Sequence, residues 1–251
     1  MSDAPPAHPS WTADARSVLD RACERHGGWT RWRALEHVRL GVAVLRGAIP
    51  WLKGAGRTFP VPRAVEVAPH ARRASFARYP DDAHDGVFAD GGVAIRARAG
   101  SALVATTPTP RTDAARHWRW TPLDALYFFG YALWHYHTLP FTLAAARLLV
   151  RRRAGGHDVL QVAFPPDVPT HSRRQTFWFA ADGLLVRHDY HAEVVGRWAR
   201  GAHLWRRHRD VDGIPIALER HVVPTVGDHT LPFPALHAEL DDVAVAFSVG
   251  G

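Results

Sequence analysis

The feature that most constrains the fold is a series of short segments in which apolar and polar residues alternate. In the segment 38–44 every second residue is valine or leucine, so those side chains lie on one face of an extended chain. The pairs Asp182-Gly183 and Asp212-Gly213 separate two such segments each and favour tight hairpin turns. We therefore predict a large antiparallel sheet in which neighbours along the chain also pair in space. The predicted strands are 37–48, 63–68, 72–79, 86–89, 93–98, 101–106, 157–164, 174–180, 184–195, 200–209, 214–223 and 235–249.

Helical spacing and capping residues predict three helices. Thr12 is a favourable N-cap for the first helix, which ends at the Gly27-Gly28 pair because glycine readily adopts the left-handed backbone of a helix end. A threonine-proline pair begins a second helix over 122–137, and a further proline begins a third over 140–152. The predicted fold class is therefore α+β, with a large curved antiparallel sheet, an N-terminal helix and a helical lid insert.

The chain of 251 residues is predicted to form one domain over 11–251, after a disordered lead-in over 1–10. The helical insert occupies about 113–152. Because the first residues lack a basic segment followed by an apolar run, we expect no export signal and a cytoplasmic location. Cys23 is the only cysteine, which excludes a disulfide framework and a cysteine-based zinc site within the chain.

The net charge of +7 is distributed in a way that argues against nucleic-acid binding. Lys53 is the only lysine among 31 basic residues, and clusters such as Arg151–Arg153 are short and isolated. A nucleic-acid interface concentrates its basic residues on one face or helix. We therefore expect no nucleic-acid partner, whereas anionic lipid or an acidic small molecule is compatible with the charge.

The insert contains an apolar, aromatic stretch over 123–150. This stretch is long enough to cross a bilayer, but Asp124, Arg147 and two histidines interrupt it and Pro140 divides it. Ionisable groups at that depth are costly in hydrocarbon, so two shorter helices packed on protein are expected. Three alternatives stay open for them: a lid over a ligand pocket, a core helix with aromatic filling, or a surface that docks on a membrane.

The order of elements carries a resemblance to a known family. The leading helix ends in His26-Gly27-Gly28-Trp29 and leads into a strand, and two later hairpins turn at Asp182-Gly183 and at the sequence Asp-Gly-Ile-Pro over 212–215. Over about two thirds of its length the chain resembles the LolA/LolB-like bacterial lipoprotein-sorting proteins and related bacterial proteins. The resemblance implies an incomplete antiparallel barrel that wraps over helices and encloses an apolar cavity. It does not extend to their lipoprotein cargo, because those proteins are exported and lack the aromatic insert.

Candidate ligand-binding residues lie on the aromatic helix and on neighbouring strands. Three of them, Phe128, Tyr131 and His135, share one stripe of the helix through steps of three and four residues. An arginine at 46, 187 or 220 is a candidate to meet an anionic head group. The full ligand-binding set is Phe128, Tyr131, Trp134, His135, Phe177 and Arg187.

The candidate catalytic residues are His135, Asp189 and His191. On an extended strand Asp189 and His191 share a face with Arg187, and a carboxylate beside an imidazole raises its basicity, as general-base catalysis requires. The alternative is a solvated outer face with ion pairs. No metal site is predicted, since the chain has no H-E-x-x-H motif and its histidines do not repeat at ligand spacing within one element; a site assembled from separate strands is the alternative.

The sequence thus predicts a protein that binds a hydrophobic small molecule or lipid between sheet and helices, with no cofactor. Burial of the ligand's apolar surface, at ~25 cal/mol per Å², would drive the binding. One alternative is a small-molecule enzyme that uses Tyr131, His135, Asp189 and His191 in the same pocket. Another is a protein that contacts a membrane peripherally through the aromatic insert. The oligomeric state stays open.

Overall fold

Helices and a large sheet account for most of the described residues, which are 8–54, 60–99, 103–107, 119–196 and 198–248 of a computed structural model. The helices are α1 (Ala13–Arg25), α2 (Gly28–Ala34), α3 (Ala48–Gly54) and α4 (Pro122–Thr138), with a 3-10 turn at Phe141–Ala145. The strands are β1 (Leu35–Arg46), β2 (Ala64–Ala68), β3 (Arg73–Ala77), β4 (His84–Ala89), β5 (Gly92–Ala97), β6 (Leu103–Thr107), β7 (Arg147–Ala154), β8 (His157–Ala163), β9 (Arg174–Phe179), β10 (Leu185–His191), β11 (Arg200–Val211), β12 (Ile214–Val226), β13 (His229–Thr230) and β14 (Leu236–Phe247).

The sheet is a single antiparallel path that stays open. Its strand order is β6-β5-β4-β3-β2-β1-β14-β12-β11-β10-β9-β8-β7, and β13 pairs with β12 beside this path. Most strands pair with their neighbours along the chain, and the pairing of β1 with β14 joins the two halves. Among the described residues no pairing joins β6 to β7, so both remain edges. The predicted α+β fold with an incomplete antiparallel barrel is confirmed.

Helix α4 is the central helix of the half-barrel. Thr121 caps it, and the side chain of Asp124 returns a hydrogen bond to the Thr121 backbone N–H, which forms a capping box. The helix packs against β2, β3, β4, β5 and β6, and 13 of its 17 residues are buried. Gly130 allows this close approach, because a Cβ there would lie 2.6 Å from Cγ of Phe88 on β4. Of the three alternatives for the aromatic helix, the burial favours the core.

The third predicted helix, over 140–152, is wrong. The chain forms only the 3-10 turn there and then enters β7, which pairs with β8. Gly155 and Gly156 both have positive φ and connect Ala154 to its partner His157. A glycine pair of this kind favours a two-residue hairpin, which explains why the chain turns back here to pair β8 with β7.

Residues 8–10, the last part of the predicted disordered lead-in over 1–10, form hydrogen bonds with the rest of the chain. Residues 1–7 lie outside the described residues. His8 N–H donates to the Ala144 carbonyl at 2.9 Å, and the Ser10 hydroxyl accepts from Leu148 N–H at 2.8 Å. The serine thereby satisfies a backbone donor near the start of β7 and holds this part of the chain on the edge of the sheet.

None of the helices in the described part of the chain is both long and apolar enough to cross a membrane.

Candidate functional site

A cavity of about 290 Å³ lies between helix α4 and the strands β1, β14, β12, β11 and β10. Its sheet wall includes Val42, Leu240 and Val222, and its helix wall includes Phe129 and Leu133. The lining is almost wholly apolar. Pockets that bind small molecules have this character, with volumes from about 300 Å³ upward and a few polar groups that fix orientation. The helices therefore leave room for a ligand beside α4.

Arg220 is the buried positive charge in the wall of this cavity. The residue is 3% exposed, and within the described part of the chain its Nε and Nη1 atoms have no hydrogen-bond partner. The guanidinium contacts the rings of Trp205 and Tyr136, which stabilises a cation through the ring quadrupole. Burial lowers the pKa of Arg220 to about 10, so the group is still charged at neutral pH.

His203 and two tyrosines lie beside Arg220. His203 on β11 is 2% exposed and lines the cavity, and no described residue forms a hydrogen bond with either of its ring nitrogens. The hydroxyls of Tyr136 and Tyr190, which also line the cavity, lie 3.5 Å apart. The cavity thus combines an apolar wall with one polar end formed by the ring and guanidinium groups of four residues.

His171 connects this polar end to the interior. Its Nε2 lies 2.6 Å from the Tyr136 hydroxyl and its Nδ1 lies 3.0 Å from the Tyr131 hydroxyl, and its ring stacks on Tyr190 at 3.8 Å. Burial lowers the pKa of His171 well below its ordinary value, so the ring is neutral at pH 7. A neutral imidazole donates at one nitrogen and accepts at the other; one tyrosine therefore accepts from His171 and the other donates to it.

Gln175 forms hydrogen bonds with two further buried histidines, His135 and His188, which lie behind the polar end. Its Oε1 accepts from Nε2 of His135 and of His188, while its Nε2 donates to the Thr170 hydroxyl and the Ser172 carbonyl. Burial lowers the pKa of His135 to about 4 and that of His188 well below its ordinary value. Both rings are therefore neutral at pH 7 and act as packed, hydrogen-bonded core groups.

The predicted ligand-binding residues are only partly brought together. Phe128 lines the cavity, and Tyr131 and His135 belong to the polar groups behind it. Trp134 instead donates its indole N–H to the Pro69 carbonyl, and Phe177 stacks on His188 at 4.5 Å. Trp134 and Phe177 are therefore core residues that do not line the cavity.

Arg187 and two of the predicted catalytic residues do not face the cavity. Arg187 forms two hydrogen bonds with Asp189, at 2.6 and 2.9 Å, and stacks on Trp178. The alternation of β10 puts His191 on the same side as Asp189, where its Nε2 lies 3.2 Å from the Gly196 carbonyl. His135 lies on the opposite, inner side. The three predicted catalytic residues are thus not assembled, and the Arg187–Asp189 pair matches the alternative of an outer face with ion pairs.

The residues that sequence reasoning missed carried a detectable signal. His188 and Tyr190 lie on the buried face of β10, opposite the face that carries the predicted catalytic residues Asp189 and His191. A polar side chain on the apolar-facing side of an alternating strand needs a partner inside the core or a role there. The same reasoning applies to His203, which shares one face of β11 with the cavity residue Gly201. It also distinguishes Arg220, which shares one face of β12 with the cavity residue Val222, from the other two candidate arginines.

The fold and the cavity define a class of protein: an open antiparallel half-barrel with a buried central helix and an internal apolar pocket. A DUF1329 family protein from Desulfovibrio piger ATCC 29098 is similar in structure, with 12% sequence identity and a TM-score of 0.47, over 96% of this chain and 95% of that chain. A LolA superfamily protein from Nitrosomonas europaea is similar over 92% of each chain, with 9% identity and a TM-score of 0.47. No protein-family model matches the sequence, and no curated protein matches it.

The strand order and the open edges among the described strands agree with the incomplete antiparallel barrel that the resemblance in sequence implies. A shared fold does not establish a shared function, so function has to be argued from the cavity itself.

Proposed function

We propose that the protein binds an elongated apolar molecule that carries an anionic group, such as a fatty acid or a lipid phosphate. The observation that carries this proposal is a buried guanidinium in the wall of an otherwise apolar cavity, two of whose nitrogen atoms have no hydrogen-bond partner among the described residues. The apolar part of the ligand would contact α4 and the strands β1, β12 and β14. The anionic group would accept hydrogen bonds from Arg220.

The chemistry of Arg220 favours an anion over a neutral polar group. A guanidinium presents its N–H donors as a planar fork that matches a carboxylate or phosphate. Burial of an unpaired charge is unfavourable by several kcal/mol, and an anionic ligand removes that cost when it binds. His203 adds a second polar group in the same wall, and its ring N–H would donate a hydrogen bond to the remaining oxygen.

Titration calorimetry with matched probes tests the proposal. Decanoate and decyl phosphate share their apolar chain with decanol, which lacks the charge. We expect both anions to bind and decanol to bind roughly 30-fold more weakly, because a charge-assisted hydrogen bond contributes about 1.5–3 kcal/mol. Arg220→Met should bring the affinities for decanoate and decanol together, whereas the outer-face control Arg187→Met should leave the difference intact.

The possible outcomes separate the two parts of the proposal. Equal affinities for decanol and decanoate in the wild-type protein would contradict the anionic specificity and leave apolar binding supported. Absence of binding for all three probes would contradict the proposed function itself. A bound acid detected by native mass spectrometry of the purified protein would support both parts.

The mouth of the cavity favours exchange of this ligand with a membrane. Trp198 is 67% exposed, Phe233 is 51% exposed and Leu52 is 45% exposed, and all three line the cavity. Trp51, next to Leu52 on α3, is 73% exposed. Tryptophan side chains are enriched at membrane–water interfaces, and exposed apolar patches mark interaction sites. We therefore infer that a membrane surface is the source or destination of the ligand, with these four residues, the mouth residues, in contact with it.

A further inference from the structure

Two histidines and two glutamates form a cluster on the face of the sheet opposite the cavity. Glu219 and His221 are two residues apart on β12, and His237 and Glu239 are two residues apart on β14. The register pairs Glu219 with Glu239 and His221 with His237. All four side chains therefore share one face, since the residues between them, Arg220 and Ala238, line the cavity on the other face.

The ligand atoms of this cluster are close together. One ligand atom each from Glu219, His221 and His237 lies within 4.8 Å of the other two. His221 Nε2 is 2.5 Å from Glu219 Oε1, His237 Nε2 is 3.0 Å from Glu239 Oε1, and the two imidazole rings are 4.3 Å apart. Zinc–nitrogen and zinc–oxygen bonds of about 2.0–2.2 Å place tetrahedral ligands about 3.4 Å from one another. Small side-chain rotations thus suffice to converge on one ion.

We propose that this cluster is a binding site for a divalent transition metal of the zinc type. One nitrogen of His221, one nitrogen of His237 and a carboxylate oxygen of Glu219 would be the ligands, and Glu239 would complete the tetrahedron. Imidazole with carboxylate is a donor set that suits Zn²⁺ and its neighbours in the transition series. The two imidazoles meet only through the pairing of β12 with β14, which is why spacing within one element does not reveal the site.

The surroundings of the cluster are compatible with a bound cation. The Nε of Arg207 lies 3.9 Å from Glu219 Oε2, and this arginine side chain is 57% exposed. Its long side chain can move into solvent when a metal binds, because such a pair is weak in water. His237, by contrast, is 6% exposed, so one ligand is held by the packing around it and is ordered before the metal arrives.

Titration calorimetry with zinc chloride on the intact protein tests this proposal. We expect one Zn²⁺ per chain in the wild type, and an affinity at least about 100-fold lower in His221→Gln and in His237→Gln, since loss of a ligand costs at least as much as loss of its supporting partner. Cobalt(II) should give the intense visible absorption of a tetrahedral site in the wild type and not in these variants. If His237→Gln does not fold, Glu219→Gln and His221→Gln at the more exposed positions still test the site.

The chain offers a matched control. His37 on β1 and Glu66 on β2 form another histidine–glutamate pair across adjacent strands, with 3.5 Å between Nδ1 and Oε1. His37→Gln removes one imidazole from such a pair and should leave zinc affinity unchanged. The proposal is overturned if the wild type does not bind zinc, or if His221→Gln and His237→Gln bind zinc as tightly as the wild type and the control do.

Discussion

The guanidinium carbon of Arg220 lies 4.3 Å from the centre of the Trp205 indole ring. A desolvated cation–π contact contributes about 2 kcal/mol, which is less than the several kcal/mol that burial of an unpaired charge costs. We therefore expect Arg220→Met to increase the free energy of unfolding of the ligand-free protein by about 1 kcal/mol, because methionine fills the space without a charge. Urea unfolding followed by tryptophan fluorescence measures this. A clear loss of stability would show that the surrounding rings satisfy the cation fully.

Buried histidines should make the fold sensitive to acid. Burial lowers the pKa of His135 to about 4 and the pKa values of His171, His188 and His203 well below the ordinary value. The unfolded chain binds protons at these residues below about pH 6.5, whereas the folded chain does not. Their contribution to stability is therefore complete above about pH 6.5 and decreases as the pH falls toward 4, by up to about 1.4 kcal/mol per pH unit for each histidine.

One substitution isolates this effect. Neither ring nitrogen of His203 has a hydrogen-bond partner in the ranges that the structure describes, so His203→Leu removes one titrating group at little structural cost. We expect the free energy of unfolding of His203→Leu to depend less on pH than that of the wild type between about pH 7 and about pH 5. The difference should correspond to the uptake of about one proton fewer on unfolding. His157→Gln, at the partly exposed first residue of β8, is the control for replacing a histidine away from the cavity, and its slope is compared with that of His203→Leu. An unchanged slope in His203→Leu would mean that this ring is protonated inside the folded protein.

Most strands of the sheet were predictable, because alternation in sequence corresponds directly to one buried face. The strand predicted over 37–48 has an observed counterpart, and so does every strand predicted from residue 157 onward. The observed ends differ from the predicted ends by a few residues. Strand β7 was missed since Arg151, Arg152 and Arg153 interrupt its alternation and the neighbouring apolar residues fit a helix equally well. What makes it a strand is its pairing with β8, a long-range interaction that no local pattern contains.

The site was less predictable than the fold. His171 lies in a loop, and only the folded chain places it between Tyr131 on α4 and Tyr190 on β10. The sequence offered Arg220 as one of three arginines for an anionic group, and burial alone separates it from Arg46, which is exposed. Patterns along a chain identify the face on which a residue lies, but they do not identify which faces meet.

The contact between Gly130 and Phe88 should make Gly130→Ala destabilising. Replacing glycine by alanine within a helix ordinarily stabilises it by up to about 1 kcal/mol. At this position the new Cβ would overlap Cβ of Phe88 and lie 2.6 Å from its Cγ, so strand β4 has to move away from α4. We expect a net loss of about 2 kcal/mol in the free energy of unfolding. Urea unfolding measures this change, and the midpoint of Gly130→Ala should lie below that of the wild type. A higher midpoint would show that α4 and β4 are not in close contact.

The mouth residues should determine how strongly the protein binds membranes. Trp51→Ser with Trp198→Ser removes two exposed indoles without changing the charge of the chain. Each lost aromatic side chain removes roughly 1.5–3 kcal/mol of burial when the mouth contacts lipid. We expect co-sedimentation with vesicles of phosphatidylcholine and phosphatidylglycerol to fall by at least about 10-fold, because even partial burial of two indoles exceeds 1.4 kcal/mol.

A control at a distant position separates this contact from general adhesion to anionic vesicles. Val150 on β7 is 43% exposed and lies three strands away from β10, the nearest cavity strand. Val150→Ser should co-sediment with vesicles like the wild type, because both proteins keep the positive charge that attracts anionic lipid. If the double tryptophan variant also sediments like the wild type, charge alone accounts for binding and the mouth does not contact the membrane. If transfer of decanoate from vesicles to the protein slows only in the tryptophan variant, the cavity is loaded through its mouth.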